Sequence, residues 1–168
     1  MKQTKFVRKL LSAGVLSLAF GTIGVQVARA QRAIPLLDIE CIRTSGSNDR
    51  IYDNTKSISV NKQFETAIMY MSDEAAYTCK LPPARSAFLR LEYAIPDTGR
   101  GQIQMDIYLD GNLVDSGVAT AGKTGTLLVD LTNGRSLAIE NSCISSSCGY
   151  VYFFKAEIEV VTSPGGRQ

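Results

Sequence analysis

The chain has 168 residues, 18 Lys and Arg against 16 Asp and Glu, four Cys, and neither His nor Trp. Its net charge of +2 hides an uneven distribution: the first 30 residues hold five of the bases and no acid, leaving 13 bases against 16 acids in residues 31–168. An acidic remainder gives no support for a phosphate-binding surface, and a chain without His cannot assemble a Ser-His-Asp triad, a Cys-His pair, an HExxH zinc site or an imidazole acid-base.

In chain order, the first element is a targeting segment. Residues 1–9 are basic, Leu10 to Val27 are mostly apolar or small, and Ala28-Arg29-Ala30 places small residues where a signal peptidase reads. This is the three-part pattern of a secretory signal. A membrane anchor competes for an apolar stretch of this length, but Ser12, Ser17, Thr22, Gln26 and the interspersed glycines weaken that reading. Position 31 is Gln, not Cys, so no lipid anchor is spelled. The expected product is a secreted protein, periplasmic or extracellular, with no stable membrane anchor after cleavage. It forms a single domain over 31–162 with a disordered tail over 163–168.

Within the domain, Leu36–Ile42, Ser57–Val60 and Phe64–Met71 read as strands, with Thr44–Arg50 as a polar loop. Ser72-Asp73-Glu74 before two alanines has the chemistry of a helix cap, which predicts at most one short helix near residues 73–78, ended by Pro82-Pro83. The clearest signal follows. In Phe88–Ile95 the residues Leu89, Leu91, Tyr93 and Ile95 share one face, and in Gln102–Leu109 so do Ile103, Met105, Ile107 and Leu109. This period of two marks half-buried strands. Asp110-Gly111-Asn112 and Asn133-Gly134 carry residues that tolerate positive φ, and both read as hairpin turns. The last strand places Tyr150, Tyr152, Phe154, Ala156, Ile158 and Val160 on one face; Val151 and Phe153 interrupt the other and suggest that this end is covered on both sides. About eight strands with no alternating helices predict an all-β fold, an antiparallel, jelly-roll-like β-sandwich.

Cys41, Cys79, Cys143 and Cys148 all follow the export segment, and an even count in an oxidising compartment reads as two disulfides. Three pairings are open. The short polar spacer Ile-Ser-Ser-Ser favours a ring between Cys143 and Cys148, which leaves Cys41 with Cys79. A four-Cys zinc site lacks its C-x₂-C knuckles.

Three catalytic routes survive without His. Paired carboxylates need an acid of raised pKa across a scissile bond, whereas the acids here lie in turns or on polar strand faces. A Ser-Lys pair needs a buried lysine, and Lys123 and Lys155 both read as exposed. For a carboxylate metal site, Asp110, Asn112, Asp115 and Asp97 offer oxygen ligands, but no EF-hand loop is spelled and a hairpin turn explains Asp-Gly-Asn equally well. Gly117 to Thr124 matches the letters of a phosphate loop, G-x-x-x-x-G-K-T, yet runs into a strand where that motif needs a helix. No metal and no cofactor is expected. Sugars are held by aromatic faces and a few convergent polar groups, which selects Tyr108 and Tyr150, with Asn141, Asp97 and Arg100 as polar candidates.

The runs Leu89-Arg90-Leu91-Glu92-Tyr93 and Gly99 to Val114, with Leu127 to Gly134 and Leu137-Ala138-Ile139, resemble the galactose-binding-like jelly rolls of the NPCBM type, a family of carbohydrate-binding modules. The resemblance spans Ser86–Val161 and lacks the Trp usual near the end of such modules, so no site residue is carried over by motif. It implies a β-sandwich that binds carbohydrate. The expectation is an exported, non-catalytic binding module for a glycan or cell-envelope component, with no nucleic-acid partner. The alternative is a structural or protein-protein interaction domain of the envelope with no small-molecule ligand.

Overall fold

The computed structural model describes residues 31–45, 55–83 and 86–161. The expected export segment, most of the polar run after Thr44 and the tail from 163 lie outside the described residues. Two five-stranded antiparallel sheets face one another. In the first, β1 (Gln31–Pro35) and β5 (Met69–Ser72) share one edge of β12 (Tyr150–Val161), followed by β7 (Ala87–Ala94) and β10 (Thr124–Asp130). The second runs in the order β2 (Cys41–Ser45), β6 (Ala76–Lys80), β11 (Ser136–Cys143), β8 (Gln102–Leu109), β9 (Asn112–Thr120). A separate hairpin, β3 (Lys56–Val60) with β4 (Gln63–Ala67), packs on the outside of the first sheet.

The sandwich and both disulfides, Cys41 to Cys79 and Cys143 to Cys148, agree with the sequence reading. The twelve strands among the described residues exceed the eight expected. One reason is that Phe64–Met71 divides at Ile68, whose amide reaches across to the Phe153 carbonyl; β4 pairs with β3 while β5 pairs with β12. Leu36–Ile42 is also not one strand, since Leu36–Asp38 forms a short 3-10 turn after Pro35 and β2 starts at Cys41. The helix expected near residues 73–78 is a turn followed by β6. Tyr77 and Cys79 point into the core at a spacing of two, and β6 hydrogen-bonds on both sides, to β2 and β11. Two ladders satisfy more of this segment's backbone than one turn of helix would.

The alternating sets predicted for β7 and β8 line the core. Leu89, Leu91, Ile103, Met105 and Ile107 are completely buried. They meet Leu137 and Ile139 of β11 and Val151, Phe153, Ala156 and Ile158 of β12. The β12 members correct the sequence reading, which placed Tyr152 and Phe154 in phase with Ala156 and Ile158. The register against β7 slips between Phe153 and Lys155, so Phe154 is an inserted bulge residue. Because side chains alternate strictly, one extra residue exchanges the two faces. Val151 and Phe153 therefore point inward, while Tyr152 joins Ile58, Val60, Ala67 and Ala94 in a second cluster beneath the β3–β4 hairpin, with Phe154 packed against it. The start of β12 is thus covered on both sides, as the sequence suggested.

Turn chemistry explains the connections. Asp110 (φ 49°) and Gly111 (φ 81°) both adopt positive φ in the two-residue turn between β8 and β9, the combination that matches strand twist. Asn133 also has positive φ, at 62°, but Asn133-Gly134 is not the hairpin that was expected. It carries the chain between sheets, since β10 pairs with β7 and β11 with β6 and β8. Both strands point apolar residues inward from opposing sheets, and local turn residues do not distinguish that from pairing side by side. The Asp110 carboxylate holds this corner by accepting from the Arg135 and Ser136 amides and the Ser136 hydroxyl. Donation from the Ser136 amide, then that of Arg135, keeps the carboxyl below its ordinary 3.8.

The glycine-rich segment has a packing role. β9 and β10 are joined by a turn, with no helix, so the phosphate-loop letters lack their structural context. Side chains added at Gly117 and Gly125 would both collide with Tyr93, at Gly125 with two ring carbons and the hydroxyl oxygen at 2.6–2.9 Å. The two glycines form a slot for this ring, which is 3 % exposed, between the edge strands of the two sheets. Gly125→Ala is expected to destabilise the domain by about 1–3 kcal/mol, the usual cost of overpacking. Urea unfolding measures this, and an unchanged midpoint would mean that Tyr93 can leave its slot freely.

Candidate functional site

The strand directions give the sandwich two ends. At one lie the Asp73-Glu74 turn, the loop 96–101, the turn 121–123, the disulfide loop 143–148 and the start of β12 at Tyr150. At the other lie the Asp110-Gly111 turn and the corner 132–135. β8 spans the distance between them, about 26 Å for eight residues. Asp97, Arg100 and Tyr150 therefore share the first end, while Tyr108 sits near the second, on the outer face of the second sheet opposite Ala138 and Leu113. The structure does not bring the five candidates together.

Several of these residues have other work. Asp97 accepts from the Ser59 hydroxyl at 2.6 Å and from the amides of Asn61 and Lys62 at 2.8 and 2.9 Å. Those two residues have positive φ in the β3–β4 turn, so the carboxylate clasps the hairpin tip. The Ser59 hydroxyl, followed by the Lys62 amide, holds its pKa below 3.8. Asn141 is 6 % exposed and faces inward. Its Nδ2 donates to the Ser72 carbonyl at 2.8 Å, and its backbone amide to the Ala75 carbonyl, pinning the β5–β6 turn to β11. Its Oδ1 is buried with no hydrogen-bond partner among the described residues. The oxygen ligands weighed for a metal site are also dispersed, with Asp97 and Asp110 at opposite ends. Arg100 stays exposed beside Gly101, whose positive φ (77°) and missing side chain let the backbone pass against Ser147 and the Cys148 sulfur.

An aromatic cluster lies on the outer face of the first sheet, at the loop-bearing end. Tyr70 of β5 stands directly opposite Tyr152 of β12, and the rings stack at 5.3 Å with 28° between planes. Tyr150 meets Tyr70 edge to face at 5.5 Å. Both geometries are the favourable ones for aromatic pairs. Lys56, at the start of β3, places its Nζ 3.2 Å from the Tyr152 hydroxyl and lies 5.2 Å from the Tyr152 ring centroid and 5.9 Å from that of Tyr70. Hydrogen bonding to Tyr152 raises the Lys56 pKa above 10.5, so the ammonium stays charged at neutral pH. Tyr152 is 7 % exposed and forms the base of the cluster; Tyr150, at 40 %, offers its surface to solvent. Sequence reading found Tyr150 and missed Tyr70 and Lys56. The only signal for Tyr70 was its place between Met69 and Met71, out of phase with two apolar residues.

Two clefts open elsewhere. One, of about 290 Å³, is lined by Glu40, Ile42, Thr78, Lys80, Arg135 and Ser136 on the second sheet; the other, of about 340 Å³, lies along the hairpin beside Phe64, Ser57 and Gln63. A carboxylate pair, Asp106 directly opposite Glu140, lies in neither. Partial burial and these two acids push the Tyr108 phenol above 10.0. The pair sits on an open sheet face, with no walls to hold a glycosidic bond between two carboxylates. Asp73 approaches Cys143 and Cys148, but disulfide sulfurs are not the thiolates that bind metals.

No protein-family model matches the sequence, and no curated protein is significantly similar to it. Solved structures share the fold. The CBM51-2 and INT domains of Clostridium perfringens ZmpB match over 77 % of this chain and 32 % of that one, with a TM-score of 0.65 and 16 % identity. A CBM51 from Clostridium perfringens GH95, solved with methyl-galactose, matches over 76 % and 99 %, with a TM-score of 0.64 and 14 % identity. The tandem CBM51 modules of a family 98 glycoside hydrolase from Streptococcus pneumoniae match over 92 % and 52 %, at 0.59 and 11 %. At these identities the likeness is one of fold. The chain has the β-sandwich of carbohydrate-binding modules, and the match extends well into the first half, beyond the segment that carries the sequence resemblance.

Proposed function

We propose that the chain is an exported, non-catalytic module that binds glycan through the aromatic surface around Tyr150. The observation that carries this reading is a solvent-facing tyrosine held rigidly edge-on to a second, beside the loops of one end of the sandwich. A rigid aromatic face stacks on the C–H surface of a sugar with little loss of conformational entropy. The shared fold supports the reading, since structures similar to this chain hold GlcNAc and methyl-galactose. Two disulfides fit an oxidising compartment, and no helix of the described residues is long and apolar enough to cross a membrane.

The test is a glycan array followed by titration of the best ligand. Tyr150→Ala is expected to weaken binding about tenfold, roughly 1.4 kcal/mol. Tyr108→Ala, on the other sheet near the opposite end, is expected to leave it unchanged. Equal losses in both variants, or no binding to any glycan, would sink the proposal. A second reading, a protein-contact domain of the envelope, is favoured by one observation. Leu113, Val114 and Val118 on β9 and Leu128 on β10 are 44–58 % exposed on the edge strands of the two sheets, and exposed edge strands invite pairing with another chain. Recovery of an envelope protein whose binding is lost in Leu113→Asp, with no glycan bound, would decide for it.

A further inference from the structure

The aromatic surface carries a charge that no acid among the described residues neutralises. Lys56 is exposed, and its ammonium has three donors, of which the Tyr152 hydroxyl accepts one. The ion pairs between described residues join Arg90 with Glu159 and Lys155 with Glu157, so Lys56 has no carboxylate partner among the described residues. Among the described residues, the groups that act on its charge are the phenols of Tyr152, Tyr70 and Tyr150. A cation is thus fixed over aromatic rings, beside an exposed ring, with donors to spare and no acid facing it among the described residues.

Resting on the glycan-binding reading, we propose that this surface is selective for acidic glycans, the sugar ring stacking on Tyr150 while its carboxylate or sulfate takes the free donors of Lys56. The geometry separates two tasks. The tyrosine platform recognises a pyranose face of any sugar, and the ammonium discriminates by charge. Its position is set by contacts within the protein, 3.2 Å to a hydroxyl and 5.2 Å to a ring centroid, so little side-chain entropy remains to be lost when an anion binds. A lysine suits either anion, because it acts as a point charge and does not demand a planar, two-pronged partner.

The experiment compares matched polymers that differ only in charge, polygalacturonate against its methyl ester and a sulfated carrageenan against its desulfated form. Binding to the mature protein is measured in low salt. At least one acidic polymer is expected to bind about tenfold more tightly than its neutral partner. Lys56→Met is expected to abolish that preference, and Lys56→Arg to restore it. Circular dichroism confirms that the variants are folded. Equal binding of both members of each pair, or a preference that survives in Lys56→Met, overturns acidic selectivity and leaves the glycan-binding reading intact. Absence of binding to all four polymers overturns acidic selectivity; if neutral sugars on the array are bound, the glycan-binding reading stands, and if none is bound, both fail.

Discussion

Replacing Phe153 with alanine is expected to cost the domain about 3–5 kcal/mol, the range for removing a buried phenylalanine from a core that cannot collapse around the gap. Phe153 is completely buried, at the point where β12 is flanked by β7 on one side and β5 on the other. Its ring packs 6.3 Å from that of Tyr93, which is itself confined by the glycine slot. Both neighbouring strands are fixed by their ladders, so relaxation into the cavity is restricted. For a domain of ordinary stability, about 5–15 kcal/mol, such a loss removes about a fifth of the total or more. Urea unfolding measures it. A loss below about 1 kcal/mol would show that the phase of β12 is not as described, because the sequence reading placed Phe153 on the outer, polar face.

Cutting the Cys41 to Cys79 bond is the second large effect. The bond closes 38 residues of sequence, for which the chain-entropy model gives about 4 kcal/mol of stabilisation, against about 2 kcal/mol for the five-residue loop between Cys143 and Cys148. The longer loop includes the β3–β4 hairpin and Tyr70, so the aromatic surface depends on it for its alignment. Cys41→Ser with Cys79→Ser is expected to lower the unfolding midpoint about twice as much as Cys143→Ser with Cys148→Ser. The first pair should also weaken glycan binding. If the two double variants lost equal stability, loop length would not be what the bonds contribute.

What sequence reading recovered follows from which forces are local. In β7 and β8 a period of two is imposed by one buried face, and it can be read directly from Leu89, Leu91, Ile103 and Met105. The small ring between Cys143 and Cys148 is also local. The bulge at Phe154 is not: an inserted residue shows only when a strand is laid against its neighbour, and its trace in sequence was the pair Val151 and Phe153, read as cover on both sides and not as a change of phase. Asn133-Gly134 announces positive φ but not whether the next strand stays in the same sheet. The candidate site was legible in part for the same reason. Tyr150 was identified by its own place after the disulfide loop, whereas Tyr70 gains its role from a cross-strand pairing some eighty residues away in sequence. Lys56 is joined to Tyr152 across 96 residues. Asp97 and Asn141 misled because a polar residue in a loop or strand end looks the same whether it faces a ligand or clasps its own backbone.

The pairing of Gln31 with Val161 in the ladder between β1 and β12 places the first and last described residues one strand spacing apart, about 4.8 Å. Both stand at the end of the sandwich away from Tyr150. A linker of a few glycines between them would close the fold into a ring, and the ring can be reopened at Gly111, where the turn is exposed and nothing lies within 4 Å of an added side chain. Such a circular permutant moves the chain ends from the first sheet to the β8–β9 turn of the second and leaves every strand uncut. The aromatic surface would then serve as a movable cartridge, to be fused through either set of ends with its binding face still directed outward.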